Sequence, residues 1–159
     1  MMKSASVNDL KYALHNLSSK ELIQVCLRLS KHSKESKELL TYLLFDADNE
    51  LQYIEQIKAD IDEYFKNLLF VNFSNLLKKL RKAVRLTNKY IKFSGSKNVE
   101  VAALIYICFK LRPFVERIES TALDNLYQRQ LEKIDKALLK LDEDLQFDYK
   151  QDRIQIQLY

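Results

Sequence analysis

KKLRKAVRLTNKYIKFSGSKNVEVAALIYICFKLRP, Lys78 to Pro113, holds the only glycine and the only proline of a 159-residue chain. At ordinary usage of about 7% glycine and about 5% proline, roughly eleven and eight would be expected. Such scarcity starves hairpin turns and favours long helices. Leu76, Leu80, Ala83, Val84 and Ile91 recur at helical spacing up to Phe93. At about 100° per residue, Lys78, Lys82, Arg85, Lys89 and Lys92 gather within roughly 80° of arc on the opposite side. Gly95 can then take the left-handed conformation that closes a helix, and Ser96 can cap the next one. That next segment, Val99 to Leu111, is apolar almost all round. As a helix it belongs in the middle of a bundle; its β-branched and aromatic residues leave a strand as the alternative. Pro113 disfavours helical geometry at Arg112, where the helix is expected to end or kink.

Working outward, Ser6 opens a pattern through Leu10, Ala13, Leu14 and Leu17, and Ser18 with Glu21 has capping-box spacing before Leu22, Cys26 and Leu29. A third helix is expected from about Lys34 to Phe45, stopping in the turn-forming DADN. A fourth, from near Glu50, keeps Leu51, Ile54, Ile61, Phe65 and Leu68 on one stripe, and VNFSN, Val71 to Asn75, separates it from the fifth. After Pro113, Tyr127, Leu131, Ile134, Leu138, Leu141 and Leu145 follow a heptad-like line that predicts one long last helix. In the tail, Ile154, Ile156 and Leu158 alternate with glutamines, and period two reads as extended chain or a short strand. The expectation is an all-α fold: about seven helices in paired hairpins, forming a compact bundle or short α-solenoid. Residues 1–146 would form one helical domain and 147–159 an extended or short β tail.

Charge is segregated along this frame. Net charge is +3 over residues 1–45, −6 over 46–63, +9 over 64–99 and −2 over 100–159, within a total of +4. Between Glu63 and Glu100 there is no acidic residue at all. Like charges three or four apart on the fifth helix repel by about 0.2 to 0.5 kcal/mol each, which for its seven pairs is about 1.5 to 3.5 kcal/mol. An acidic partner, a neighbouring helix or salt should offset this. Among the acids at 46–63, Glu55, Asp62 and Glu63 lie away from their own helix's apolar stripe, so partial pairing along the flanks is expected and full neutralisation is not. The mixed charges of the last helix, with Glu132, Asp135 and Asp142 to Asp144, could cover part of the remainder.

Several chemistries find no support. With one glycine, a P-loop or GxGxxG turn is out of reach. His15 and His32 stand without Cys or His at ligand spacing, and metal sites need several converging donors. DADNE, Asp46 to Glu50, resembles the start of a calcium loop, but Leu51 stands where the turn glycine belongs and Ile57 where the closing glutamate belongs. No catalytic, metal or cofactor residues are assigned. Cys26 and Cys108 fall in apolar helical patterns where a packed, reduced thiol is expected. No apolar run approaches membrane-spanning length, and a cytoplasmic location is expected.

LKYALHNLSSKELIQVCLRLSKHSKESKELLTYLL, Leu10 to Leu44, resembles the opening of small, uncharacterised all-helical bacterial proteins. Leu14, Leu17, Ser18, Glu21 and Leu22, then Lys37, Glu38, Leu39 and Tyr42, carry the likeness, which covers about a quarter of the chain and implies no activity. The functional expectation is a non-enzymatic interaction or adaptor module presenting Lys78, Lys82, Arg85, Lys89 and Lys92 to an acidic protein surface. The alternative is sequence-non-specific binding of RNA or DNA through the same face, where Tyr90 and Phe93 could stack on bases. An enzyme with a dispersed site is third. No membrane partner is expected, and a homodimer through the last helix or the tail is open.

Overall fold

A computed structural model describes residues 3–66, 68 and 72–157, without the side chains of residues 73 and 74. Among them the chain is all-α, with eight α-helices, one π-helical turn and no strand. Val71 of the expected interhelical break and Leu158 of the expected alternating tail lie outside the described residues. The chain divides into two compact units, Met1–Phe45 and Asp46–Tyr159.

The first unit is three short helices, α1 Val7–His15, α2 Ser19–Ser30 and α3 Lys34–Thr41. Local chemistry sets their starts. Ser6 accepts from the Asp9 amide at 3.2 Å while Asp9 accepts from the Ser6 amide at 3.1 Å. Ser18 and Glu21 form the same reciprocal box, with the Ser18 amide bonded to the Glu21 carboxylate at 2.8 Å. Each box satisfies amide donors that a helix start otherwise leaves open. Ser33 caps α3 through the Ser36 amide at 3.0 Å. The π-helical turn Tyr42–Asp46 then leads out of the unit.

The second unit is a five-helix bundle: α4 Glu50–Lys66, α5 Phe73–Ser94, α6 Lys97–Arg117, α7 Thr121–Leu138 and α8 Glu143–Gln155. Its centre is α6, which packs against each of the other four. Val99, Val101, Ala102, Ala103, Leu104, Ile105, Ile107, Cys108 and Leu111 are all buried, as an apolar circumference requires. Ile57 and Ile61 from α4, Leu80 and Ala83 from α5, and Leu123, Tyr127 and Ile134 from α7 complete the core. The strand alternative for Val99 to Leu111 is therefore set aside. Gly95 ends α5 in the left-handed region at φ 67°, its amide bonded to the Ile91 carbonyl at 2.9 Å, and Ser96 caps α6. Helices α4 and α5 run antiparallel, since the Tyr53 hydroxyl reaches the Tyr90 carbonyl at 3.3 Å and the Tyr64 hydroxyl the Lys79 carbonyl at 3.2 Å.

Three expectations are corrected. Of the end or kink expected at Arg112, the end is not found: α6 runs through Pro113 to Arg117. Proline removes one ladder bond, and here it does so at an exposed position beside exposed Phe109, where water can serve the released carbonyl. The last heptad line is not one helix: the chain turns after Leu138, and α8 restarts from Asp142. The expected extended or β tail at 147–159 is helical to Gln155. What fixes α8 is tertiary. Arg112 donates to the Gln155 carbonyl, the Tyr127 hydroxyl to the Ile156 carbonyl, and Arg153 forks onto Asp135 at 2.7 and 3.0 Å. Ile156 is 1% exposed, whereas Ile154, two residues away and so on another face of the helix, is 61% exposed.

Because Ile156 seats α8, Ile156→Ala should destabilise the chain by about 2 to 4 kcal/mol, while Ile154→Ala should change it by less than about 0.5 kcal/mol. Urea unfolding followed by circular dichroism distinguishes the two. Equal, small effects would mean that the C-terminal helix is not docked this way.

Candidate functional site

Helix α5 positions the five cations. Its apolar side, Leu76, Leu80, Ala83, Val84 and Thr87, is buried, which turns Lys78, Lys82, Arg85 and Lys92 outward, and all four are exposed. Lys89 is half-buried and differs from the rest: its ammonium lies 5.1 Å from the Tyr90 ring centre and 5.8 Å from that of Phe93. A cation over an aromatic face is held by the ring quadrupole. The structure thus leaves Lys78, Lys82 and Arg85 as an open line with Lys92 beyond, and ties Lys89 into the flank of the helix.

The acids expected to offset this line in part are engaged elsewhere. On α4, Glu55 pairs with Lys58 at 2.7 Å and Glu63 with Lys66 at 2.7 Å, both within their own helix. Asp62 faces α6, accepting from Lys110 at 2.5 Å and the Tyr106 hydroxyl at 2.7 Å. Glu50 accepts from Asn98 at 2.6 Å. Asp60 approaches α5 but takes the Tyr90 hydroxyl at 2.5 Å. On α7, Asp135 is committed to Arg153, and the residue reaching α5 is another cation, Lys133, bonded to Asn88 at 3.1 Å. Among the described residues, no carboxylate lies within ion-pair distance of Lys78, Lys82, Arg85 or Lys92.

The candidate aromatics are occupied as well. Phe93 is buried, and Tyr90 bonds through its hydroxyl to Asp60 while its ring meets Tyr53 edge to face at 6.5 Å. In the segment Asp46 to Glu50, rejected as a calcium loop from its sequence, Asn49 works as a helix cap, accepting from the Gln52 amide at 3.0 Å. Cys108 is buried, and burial pushes its thiol up to about 12. Cys26, expected to be packed, is exposed instead. His15 and His32 are exposed, and no group of three or more metal-ligating side chains occurs among the described residues. No described helix is long and apolar enough to cross a membrane.

Sequence reasoning missed two features. One is the Tyr106–Asp62–Lys110 cluster that pins α4 to α6. The Lys110 and Tyr106 hydrogen bonds, in that order, hold the Asp62 carboxyl below its ordinary value of 3.8. Desolvation first, then the bond to Asp62, raises the Tyr106 phenol well above its ordinary range. These partners are 44 and 48 positions apart in the chain, beyond any local pattern. The other is a cleft of about 420 Å³ between α4, α6 and α8, lined by Leu51, Ile54, Ile105, Phe109, Lys58 and Asp152 among others. No protein-family model matches the chain, and no curated protein or solved structure matches it significantly.

Two outcomes follow from the charge arrangement. The unfolded chain binds a proton at Asp62 more readily than the folded one, so the stability this group supplies is present above pH 3.8 and lost as pH falls through its lowered folded value. Asp62→Asn should flatten that acid limb in a pH series of thermal melts. Lys82→Gln removes like-charge pairs with Lys78, Lys79 and Arg85 and should stabilise the chain at low salt by about 0.6 to 1.5 kcal/mol. Salt should shrink the gain. A loss of stability would show that an acid does cover Lys82.

Proposed function

We propose that the chain is a non-enzymatic interaction module that binds an acidic protein surface through the outer face of α5. One observation carries the reading: Lys78, Lys82 and Arg85 stand exposed in a row, spaced four and three residues apart, with the neighbouring acids committed to other partners. At 1.5 Å per residue this row spans about 10 Å, and Lys92 extends it to about 21 Å. Spacing of four and three keeps the charges on one side of the helix, where an acidic helix or strand edge laid alongside would meet each in turn. Such a contact would remove the repulsion along α5 and provide orientation and a fast encounter rate more than raw affinity.

The occupied aromatics favour protein over nucleic acid. Binding to single strands draws on rings free to stack, and Phe93 is buried while Tyr90 is held by Asp60, Tyr53 and Lys89. The experiment is affinity recovery from nuclease-treated lysate, with the unchanged chain and with Lys78→Glu, Lys82→Glu and Arg85→Glu combined. The unchanged chain should retain a protein partner whose recovery falls at least about tenfold on reversal, a loss of about 1.4 kcal/mol or more. Equal recovery by both chains overturns the reading. So does binding of tRNA or duplex DNA that weakens steeply with salt while no protein is retained.

A further inference from the structure

The cleft between α4, α6 and α8 is held open by hydrogen bonds at both ends. At one end Asn98 of α6 accepts from the Tyr149 hydroxyl of α8 at 2.7 Å and donates to Glu50 of α4 at 2.6 Å. Further along, the Tyr106 hydroxyl of α6 reaches Asp62 of α4, and Arg112 of α6 reaches the Gln155 carbonyl of α8. The three helices therefore run parallel, and the space between them is formed before anything enters it. Leu51 and Ile54 from α4, and Ile105 and Phe109 from α6, are spaced three and four apart and present one side of each helix to it. Leu51 is 73% exposed and Phe109 55%, so water rather than protein covers part of this apolar wall. A volume of about 420 Å³ lies within the ordinary range of small-molecule sites, about 300 to 1,000 Å³. From Leu51 to Lys58 the α4 wall is about 10 Å long, the reach of a small molecule rather than of an extended peptide.

Charge selects the ligand. The ammonium and hydroxyl donors lining the cleft are spent: Lys58 on Glu55 at 2.7 Å, Tyr106 on Asp62 and Tyr149 on Asn98, both at 2.7 Å. Asp152 is not spent, since no cation lies within ion-pair distance of it among the described residues. With Lys58 and Glu55 cancelling, Asp152 sets the net charge of the lining. The field extends beyond it: desolvation first, then the charges of Glu50, Asp152 and Asp148, raise the Tyr149 phenol. Asp148 and Asp152 stand four apart on α8, where like charges repel and a cation relieves them. Tyr106, Phe109 and Tyr149 also line this space, and aromatic faces attract ammonium groups. Tyr106 already draws two, Lys110 at 5.4 Å and Lys58 at 5.9 Å from its ring centre.

We infer that this cleft binds a lipophilic organic cation, an amine whose hydrocarbon or aryl body lies on Leu51, Ile54, Ile105 and Phe109 while its ammonium pairs with Asp152. The site shares no residue with the basic row of α5, so either can fail without the other.

The test titrates isotope-labelled full chain, at fixed ionic strength, with three probes of one shape: phenylbutylamine, phenylbutanol and phenylbutanoate, each with its polar group at the chain end. Amide resonances are followed by NMR. The amine should shift Leu51, Ile105, Phe109 and Asp152 with a dissociation constant of about 1 mM or tighter, and the carboxylate should bind at least about fivefold more weakly. Asp152→Asn should weaken the amine about three- to fivefold, the reach of an exposed ion pair, and leave the alcohol unchanged. Asp152 is exposed, so the substitution leaves folding intact, and Lys82→Glu should alter none of the three. An amine that does not saturate in that range overturns the inference. So does equal binding of all three probes, which would mark an apolar gap without charge selection, or amine binding indifferent to Asp152→Asn. Shifts confined to residues outside the cleft would likewise refute it.

Discussion

A helix without a wet face can persist in water only if other elements enclose it, and the architecture of residues 46–159 follows from enclosing α6. Nine of its residues are buried on no single stripe, so one partner helix would not suffice. Helices α4, α5, α7 and α8 each take part of the circumference. That role constrains α8 most. Its own residues carry little apolar pattern, and it stays helical because Ile156 fills the remaining gap while Arg112 and Tyr127 hold its last carbonyls. Helix C-termini leave carbonyls without intrahelical donors, and side chains from neighbouring helices supply them here.

Tyrosine does much of the joining. Tyr53 and Tyr64 reach from α4 to carbonyls of α5, Tyr90 returns to Asp60, Tyr106 meets Asp62, Tyr127 meets Ile156 and Tyr149 meets Asn98. A phenol suits this because its ring packs against apolar helix sides while its hydroxyl finds a polar partner across the joint. Desolvation is accordingly the first cause raising the phenols of Tyr64, Tyr106, Tyr127 and Tyr149. With one glycine and one proline in the chain, specificity of helix placement rests on these long reaches more than on turns.

Where structure is local, it was legible. The Ser18 and Glu21 box, the left-handed Gly95, the Ser96 cap and the burial of most of Val99 to Leu111 follow from spacing and residue type alone. The outward side of α5 was legible for the same reason. Elements decided by distant contacts were not. Ile154 and Ile156 alternate as in a strand, but on a helix residues two apart point to different sides, and only the packing of Ile156 shows which period applies. The heptad line from Tyr127 to Leu145 hid a turn because Leu141 and Leu145 keep the spacing while the backbone does not. In the first unit the periodicity marks apolar stripes on α1 and α2, but hydropathy cannot tell a face that is covered from one left open, and most of those residues are exposed. Cys26 was misplaced by that ambiguity.

The open cations of α5 are best understood through what Asp62 and its neighbours would lose by serving them. Asp62 joins Lys110 and Tyr106 at the α4 to α6 contact, and turning it toward α5 would leave both donors without it at the edge of the core. An unmet polar group at such a joint costs more than an exposed ion pair returns, since pairs between solvated side chains are worth about 0 to 1 kcal/mol. Asp62 therefore stays where its hydrogen bonds are least replaceable, Glu55 and Glu63 stay in pairs within α4, and the basic row is left to solvent or to a partner. Because its charges are solvated, that row responds strongly to salt, while an apolar face such as that of the first unit does not weaken in the same way. One chain thereby carries two exposed surfaces governed by different physics, each open for its own reason: one because the acids around it are committed to other partners, the other because three capped helices are too short to bury themselves.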